Sequence, residues 1–286
     1  MLSWCTVHVC VAQVLFSGIA TPQVIRELVD WAAHQGGTLT VNVPRKPGQM
    51  GGICSFVELG HGYGLLLNDM IDEYLVNMYG MAAGGMTPGT WTAAECWSPG
   101  GGSSGYATPS QTLLPTLLKW QVRPVIPPSL LACRCNVVAM SLHCRICVSS
   151  LVACIHLICC RVQLLFEDPF AETLWLARAI PRSWLTLGKN VSLSRSPSSY
   201  GRLGFTLVAS IPGVIKASII LPPSFKWPPG GVQLRLRSPD YPAKKIATVT
   251  VGGKPWTGFN ATVETVRFGA TFPGAAALLN IVATFA

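Results

Sequence analysis

A glycine-rich stretch, residues 80–107, holds an aromatic ring and a carboxyl group four positions apart, at Trp91 and Glu95. An indole ring can stack on the face of a sugar, and a carboxyl group beside it can act as a general acid. Trp97 and His61 are further side chains able to contact a sugar. Glu95 is therefore the first candidate catalytic residue. A solvated loop glutamate or a helix cap is the alternative interpretation.

A second carboxyl group for such chemistry is available at Asp69. The predicted helix 65–79 places Asp69, Asp72 and Glu73 on one face, because residues three and four apart are neighbours on a helix. This pattern permits a second catalytic carboxylate or a cation site. An exposed acidic face is the simpler interpretation.

The sequence lacks the motifs of several other chemistries. It contains no nucleophile triad and no dinucleotide fingerprint, and the run GGGSSGY at 100–106 is not followed by the GK[ST] of a phosphate-binding loop. Cys144 and Cys147 form one CxxC. The nearest pair, Cys133 and Cys135, encloses a single residue, which does not match zinc-ligand spacing. We therefore expect neither a metal nor a cofactor.

The formal net charge of +9 is unevenly distributed over the 286 residues. Residues 1–120 carry −3, residues 121–163 carry +4 and residues 164–286 carry +8. No aromatic stripe interleaves the C-terminal basic residues, as binding to single-stranded nucleic acid would require. We interpret these residues as the solvated face of a sheet, and we expect no nucleic-acid partner.

The segment 121–163 differs from the rest of the chain. It contains no acidic residue, all its basic residues are arginine, and seven of the eleven cysteines lie between Cys133 and Cys160. Removal of 122–163 keeps the reading frame and joins two amphipathic sequences. We hypothesise a retained intron or a gene-model error, which sequencing of the transcript would decide.

A membrane anchor over 137–160 is an alternative for the same segment. Its best apolar run, 146–160, has fifteen residues where about 20 are needed, and it contains His156. Its cysteines do not suggest a disulfide framework either, because they lie in an apolar run rather than in loops. A membrane span is therefore disfavoured.

Helical patterns dominate the first half of the chain. Residues 1–20 are apolar, and fit either a poor signal peptide or a helix from a larger domain. Beyond them, Thr as N-cap and Pro at the first helical position are the usual start signals. The predicted helices are Thr21-Pro22 to Gly36, Leu65 to Tyr79, Thr108 to Trp120, and a fourth that starts at Asp168-Pro169 and stops before Pro181.

Beyond Lys189 the hydrophobic period changes from 3.6 to 2, which predicts strands. Six candidates, separated by Gly/Pro turns, indicate an antiparallel β-sandwich. In the third, Val232, Leu234 and Leu236 are predicted to face inward, and Gln233, Arg235 and Arg237 are predicted to face outward. The candidates are 204–211, 214–221, 231–239, 245–253, 261–268 and 277–285.

Four stretches together resemble the six-hairpin, (α/α)6-barrel glycosidase-like proteins: GTWTAAE (89–95), TPSQTLLPTLLKW (108–120), FEDPFAETLWLARAIPRSWL (166–185) and LRLRSPDYPAKKIATVTVGGKPWTGFN (234–260). The resemblance covers about 64–120 and 164–286. In the family's usual VTVNGK, Gly252 here replaces the Asn, which still suits a turn with positive φ. A complete barrel has twelve helices, so the resemblance implies a C-terminal fragment.

The resemblance implies an α+β fold, a partial helical (α/α) toroid followed by an antiparallel β-sandwich. The implied domains are a helical region (1–120), a Cys/Arg-rich insert (121–163), a last helix (164–188) and the sandwich (189–286). It also implies a glycoside hydrolase-like protein, active or inactive, that acts on carbohydrate. Glu95 and Asp69 would then be catalytic, with Trp91, His61 and Trp97 binding substrate.

Two other functions stay open from the sequence. One is a membrane-anchored protein with a β-sandwich ectodomain, and the other is a non-catalytic carbohydrate-binding or structural module. Asn190 and Asn260 begin glycosylation sequons, which matter only if the protein is secreted. Localisation is not determined: it is extracellular if the full-length protein has a signal peptide, with the membrane as the alternative.

Overall fold

A computed structural model describes residues 14–15, 17–36, 42–43, 52–80, 96–97, 163–270 and 278–286. The chain divides into two units. The described residues up to 97 belong to the first unit, and those from 163 onward belong to the second.

Short helices and very short strands make up the described part of the first unit. The prediction that Thr21 caps the first helix is confirmed, since its carbonyl accepts the Ile25 N–H at 3.0 Å and its hydroxyl accepts the Val24 N–H at 3.4 Å. The elements are α1 (Pro22–Gly36), β1 (Asn42–Val43), β2 (Gly52–Cys54), α2 (Ser55–Leu67), α3 (Ile71–Gly80) and β3 (Cys96–Trp97). The three strands form one antiparallel sheet in the order β1-β2-β3.

The predicted single helix 65–79 is wrong, because the chain turns at Asp69 between α2 and α3. Asp69 has φ +60°, and the Met70 N–H donates to the Leu65 carbonyl at 2.9 Å. The Asp69 N–H donates to the Leu66 carbonyl at 3.3 Å, which completes the paired bonds of a Schellman helix end. Asp69 is thus exposed in a turn, not on a helix face with Asp72.

Replacing Asp69 by glycine is expected to stabilise this turn. A left-handed backbone costs an L-residue about 1–2 kcal/mol, less for aspartate than for most, and glycine avoids this cost. We expect Asp69→Gly to raise the free energy of unfolding by up to about 1 kcal/mol. Urea denaturation of the full chain measures this gain. A destabilised Asp69→Gly variant would show that the carboxylate itself holds the turn.

Two β-sheets make up most of the second unit. The six-stranded sheet has the order β11-β10-β14-β8-β7-β6, and the five-stranded sheet has the order β12-β13-β9-β5-β4. Neighbours pair antiparallel, except that β5 and β9 are parallel. The strands are β4 (Leu165–Asp168), β5 (Thr173–Leu176), β6 (Asn190–Ser196), β7 (Leu203–Ile211), β8 (Val214–Ile220), β9 (Val232–Arg235), β10 (Ile246–Val251), β11 (Lys254–Pro255), β12 (Phe259–Asn260), β13 (Thr265–Phe268) and β14 (Leu278–Phe285). A 3-10 helix, Arg182–Leu185, precedes β6.

One hydrophobic core lies between these two sheets. Leu207 of the larger sheet and Leu234 and Val266 of the smaller one are fully buried in it. All six candidate strands predicted from the period-2 pattern contain a strand, and Val232, Leu234 and Leu236 are buried as expected. Gly252 has φ +57° in the β10–β11 hairpin, as the turn requires.

The predicted solvent exposure of Arg235 and Arg237 is wrong, since these side chains are 4% and 3% exposed. Arg178, in the predicted fourth helix, is also buried, at 2% exposed. The Arg178 guanidinium lies 4.4 Å from the Trp175 ring centroid, and Arg235 lies 5.2 Å from the same ring. Such cation–π stacking, together with a hydrogen bond from Arg237 Nη1 to the Ile180 carbonyl at 3.1 Å, accommodates these charges inside the fold.

The predicted fourth helix is also wrong, since residues 165–176 form the β4–β5 hairpin. Asp168 Oδ1 accepts the N–H groups of Phe170 and Ala171, each at 3.0 Å. This is the side-chain pattern of a helix N-cap, but here it closes a four-residue turn between Asp168 and Thr173. The signal at Asp168-Pro169 was therefore a turn signal.

These elements overturn the (α/α)6-barrel resemblance and the helical toroid. In the part of the chain that the structure describes, three short helices accompany two larger, mainly antiparallel sheets, so the fold is mostly β. Among the same residues, none of the helices has both the length and the apolar character needed to cross a bilayer. The predicted helix 108–120 and the insert 121–163, apart from its last residue Gln163, lie outside the described residues.

Candidate functional site

Three connections of the sandwich meet at one end: the β4–β5 turn (169–172), the β6–β7 loop (197–202) and the β8–β9 loop (221–231). Hydrogen bonds join them to one another. The Lys226 N–H donates to the Tyr200 carbonyl at 2.7 Å, and the Gly230 N–H donates to the Glu172 carbonyl at 3.0 Å. Loops that converge on a rigid scaffold are the usual place for binding residues in sandwich folds.

The β4–β5 turn presents an aromatic ring to solvent. The Asp168 carboxylate fixes the turn through its two backbone hydrogen bonds, and Glu172 closes it with φ +47°. Phe170, at the tip, is 61% exposed.

The β8–β9 loop adds two further rings through the sequence PPSFKWPPGG. Phe225 and Trp227 pack edge to face, with ring centroids 5.7 Å apart, and both are half-buried. Gly201 has φ +127°, and a Cβ there would lie 3.4 Å from Phe225 Cα. The β6–β7 loop therefore passes close to Phe225.

Acidic side chains surround Tyr200 in the middle loop. The Ser199 N–H donates to both carboxylate oxygens of Glu167 at 3.3 Å, and the Tyr200 hydroxyl donates to the Glu172 carbonyl at 3.5 Å. Burial, followed by the negative charges of Glu167, Glu172 and Asp168, raises the pKa of the Tyr200 phenol. We call Phe170, Tyr200, Phe225, Trp227, Glu167 and Glu172 the loop-end site.

The raised pKa predicts how Tyr200 affects stability at high pH. The unfolded chain loses this proton near the ordinary value of 10.0, whereas the folded chain keeps it to higher pH. The protonated Tyr200 therefore contributes to the free energy of unfolding. This contribution is complete below the pKa of the unfolded chain, and it is lost as the pH rises through the pKa of the folded chain. Tyr200→Phe should reduce the loss of stability between about pH 9 and about pH 11. Urea denaturation of the wild type and of Tyr200→Phe measures this difference. If both proteins lose the same free energy of unfolding over this pH range, the assignment is contradicted.

Of the sequence-predicted site residues, the structure describes His61, Asp69 and Trp97. Glu95 and Trp91 lie outside the described residues, and Trp97 is in β3. His61 is 7% exposed within α2, not in a loop. Their roles in sugar chemistry stay predictions, as does that of Asp69.

The other residues singled out from the sequence, Glu73, Asn190 and Asn260, lie in three different places. Glu73 forms an ion pair with Arg26 on the surface of the first unit. Asn190 is exposed at the start of β6. Asn260 is exposed at the end of β12, and its Oδ1 accepts the Thr262 N–H at 2.9 Å. Glycosylation at both asparagines stays a prediction.

Sequence reasoning missed the loop-end site as a whole. Its residues belong to FEDPFAE (166–172), SSY (198–200) and PPSFKWPPGG (222–231). Aromatic residues in proline-rich and turn-forming stretches were the available signal. The first stretch was assigned to a helix, and the other two were treated only as connections.

Comparison with known proteins assigns this chain to no family: no protein-family model matches it, and no curated protein matches it. Within the described ranges, no group of three or more His, Cys, Asp or Glu side chains is arranged to hold a metal ion.

Proposed function

We propose that this chain is a carbohydrate-binding protein, and that its sandwich binds a sugar at the loop-end site without cleaving it. The observation that carries the proposal is the exposed ring of Phe170, held by a rigid turn in the same loop cluster as Tyr200, Phe225 and Trp227. This arrangement supports binding because sugar rings have apolar faces that stack on aromatic side chains.

The polar groups of the site supply the directional part of recognition. Glu172 is exposed and Glu167 is half-buried, so their carboxylates can accept hydrogen bonds from sugar hydroxyls. Hydrogen bonds to charged groups contribute about 1.5–3 kcal/mol, more than those between neutral groups. The exposed Arg202 and Lys226 lie in the same loops, so the site carries charges of both signs, and neutral polysaccharides are the first ligands to test.

The loop connections reduce the entropy cost of binding. The turn at Asp168, the Tyr200–Lys226 backbone bond and the Glu172–Gly230 bond hold the three loops together before a ligand arrives. A preformed site loses less conformational freedom on binding than a flexible one.

A non-catalytic role fits the carboxylates of Glu167 and Asp168. The Glu167 carboxylate accepts a loop N–H, and the Asp168 carboxylate lies 3.7 Å from the Arg178 guanidinium.

Affinity electrophoresis of the full chain tests the proposal. Gels would contain soluble neutral polysaccharides, including xylan, glucomannan and mixed-linkage β-glucan, with polygalacturonate as the acidic comparison. We expect retardation by at least one neutral polymer, and we expect Phe170→Ala to weaken it about tenfold, the equivalent of about 1.4 kcal/mol. Leu187→Ala is the matched control, because Leu187 is 60% exposed at the opposite end of the sandwich. Equal retardation of both variants, or none for the wild type, would overturn the proposal.

A further inference from the structure

Two cysteines are directly opposite each other in the small sheet of the first unit. The strands β2 and β3 are antiparallel neighbours, and their register pairs Cys54 with Cys96. Of the eleven cysteines in the chain, these two fall within the described residues. They are 42 positions apart in the sequence, so it is the fold that brings them together. This pair belongs to a different unit from the loop-end site, and the inference drawn from it does not depend on sugar binding.

The register of these two strands meets the backbone requirement of a disulfide bond. Residues directly opposite each other in an antiparallel pair have Cα atoms about 4.5 Å or about 5.5 Å apart, depending on whether the two residues are hydrogen-bonded to each other. Disulfide-linked cysteines usually have Cα atoms about 4.4–6.8 Å apart, a range that includes both values. Opposite residues also share one face of a sheet, and Cys54 and Cys96 therefore do so. A register shift of one residue would place them on opposite faces.

The sheet that carries this pair is very short. The strands β1 and β2 are joined by two register pairs, and β2 and β3 are also joined by two. Sheets of this size are not stable through their own ladder and depend on further contacts. A bond between Cys54 and Cys96 would join β2 to β3 covalently and close a loop of 43 residues, 54–96, that contains α2 and α3. Closing such a loop restricts the unfolded chain and thereby favours the folded one.

We propose that Cys54 and Cys96 form a disulfide bond between β2 and β3, by exchange with a small-molecule disulfide such as glutathione disulfide. The thiolate of one cysteine attacks a sulfur atom of glutathione disulfide and releases one glutathione thiolate. The thiolate of the other cysteine then attacks the mixed disulfide at the protein sulfur atom and releases the second glutathione thiolate. The two cysteines together lose two electrons and two protons, and glutathione disulfide is reduced to two molecules of glutathione.

A bond from Cys54 or Cys96 to a third cysteine is the competing possibility. The chain has nine further cysteines, and seven of them lie between Cys133 and Cys160. The register favours the bond between β2 and β3, because a thiol held opposite a mixed disulfide reacts at a high effective concentration. The two possibilities give different linked fragments and are therefore separable by disulfide mapping.

Disulfide mapping of the full chain by mass spectrometry tests the proposal. The native chain is incubated with glutathione disulfide, and its remaining thiols are then alkylated. Cleavage after methionine, and then after lysine and arginine, gives the fragment 51–70, whose single cysteine is Cys54, and a fragment that ends at Lys119, whose single cysteine is Cys96. We expect these two fragments to be linked in most molecules and to separate on reduction. The proposal is overturned if both cysteines are alkylated, or if either is bonded to a third cysteine.

Amide hydrogen exchange measures whether the bond constrains the fold. Reduction of the oxidised chain should speed exchange in α2 and α3 about 30-fold or more, because the bond closes the loop that contains both helices. Exchange in β7 of the second unit should not respond. Cys54→Ser should abolish the response of α2 and α3 to reductant, whereas the matched Cys135→Ser, which removes a cysteine outside the pair, should retain it. Equal responses of the two variants would overturn the proposal, and the mapping of the wild type does not depend on how either variant folds.

Discussion

Replacing Glu264 by alanine is expected to lower the free energy of unfolding of the sandwich by about 3 kcal/mol, the lower end of the range for breaking a buried ion pair. Glu264 is 3% exposed and precedes β13. Its carboxylate accepts from Arg182 Nη1 and from the Ser238 N–H, each at 2.7 Å. These bonds tie the 3-10 helix and the segment after β9 to the start of β13.

The size of this effect follows from what the substitution leaves behind. Without the carboxylate, the buried Ser238 N–H loses its acceptor, and the Arg182 guanidinium loses its counter-charge. Arg182 is 26% exposed and can regain part of its hydration, which places the expected loss at the lower end of that range.

Asp240→Ala is the matched control for Glu264→Ala. The Asp240–Lys244 pair has a similar distance, 3.1 Å, but its side chains are 48% and 46% exposed. Such surface pairs contribute about 0–1 kcal/mol, so the control should change stability by less than about 0.5 kcal/mol. Urea denaturation of the full chain measures the free energy of unfolding of both variants. Hydrogen exchange of the β9 and β13 amides reports on the strands that Glu264 joins. Equal losses in the two variants would contradict the structural role of Glu264.

Replacing Gly230 by alanine is the second substitution with a large expected effect. A Cβ at Gly230 would overlap the Ala171 carbonyl oxygen and the Thr173 hydroxyl. Since the first of these is backbone, the β4–β5 turn and the β8–β9 loop must move apart. We expect a loss of about 2–3 kcal/mol in stability, as for overpacking in a core, together with loss of sugar binding at the loop-end site.

Gly269→Ala provides the comparison for Gly230→Ala. A Cβ at Gly269 would meet nothing within 4 Å, so the same chemical change should have little effect on stability or on binding. Hydrogen exchange of residues 169–174 in the full chain reports directly on the turn. Unchanged exchange in Gly230→Ala would show that the two loops are not in contact.

The strands of the sandwich were predictable where the pattern was long and local. In Val214–Ile220 and Leu278–Phe285, buried residues alternate with less buried ones over seven or more positions, and every polar residue of the two strands lies on the less buried face, which fixes both strand type and inward face. By contrast, β4 and β5 have four residues each, too few to distinguish periods 2 and 3.6. The parallel partner of β5 is β9, and Leu174 pairs with Val232, 58 residues further along the chain, so tertiary pairing decided what local signals could not.

The loop-end site was not predictable, because its residues come together only where three loops that are distant in sequence meet. Phe170, Tyr200 and Phe225 are separated by about 25–30 residues each, and no spacing rule relates them. Arg235 illustrates the same limit for burial: alternation correctly placed it on the outer face, but the stacking of Arg178 and Arg235 on Trp175 buries that part of the face. The sequence pattern predicts which face of a strand a side chain lies on, but it does not predict which other residues bury that face.

The most direct test of the account is hydrogen–deuterium exchange of the full chain with and without a saturating neutral polysaccharide that retards it in gels. Sugar binding at the loop-end site predicts slower exchange in 169–172, 197–202 and 221–231, and unchanged exchange in 185–187, 211–213 and 238–240. Protection confined to the first unit or to the opposite end of the sandwich, with these three loops unchanged, would contradict it.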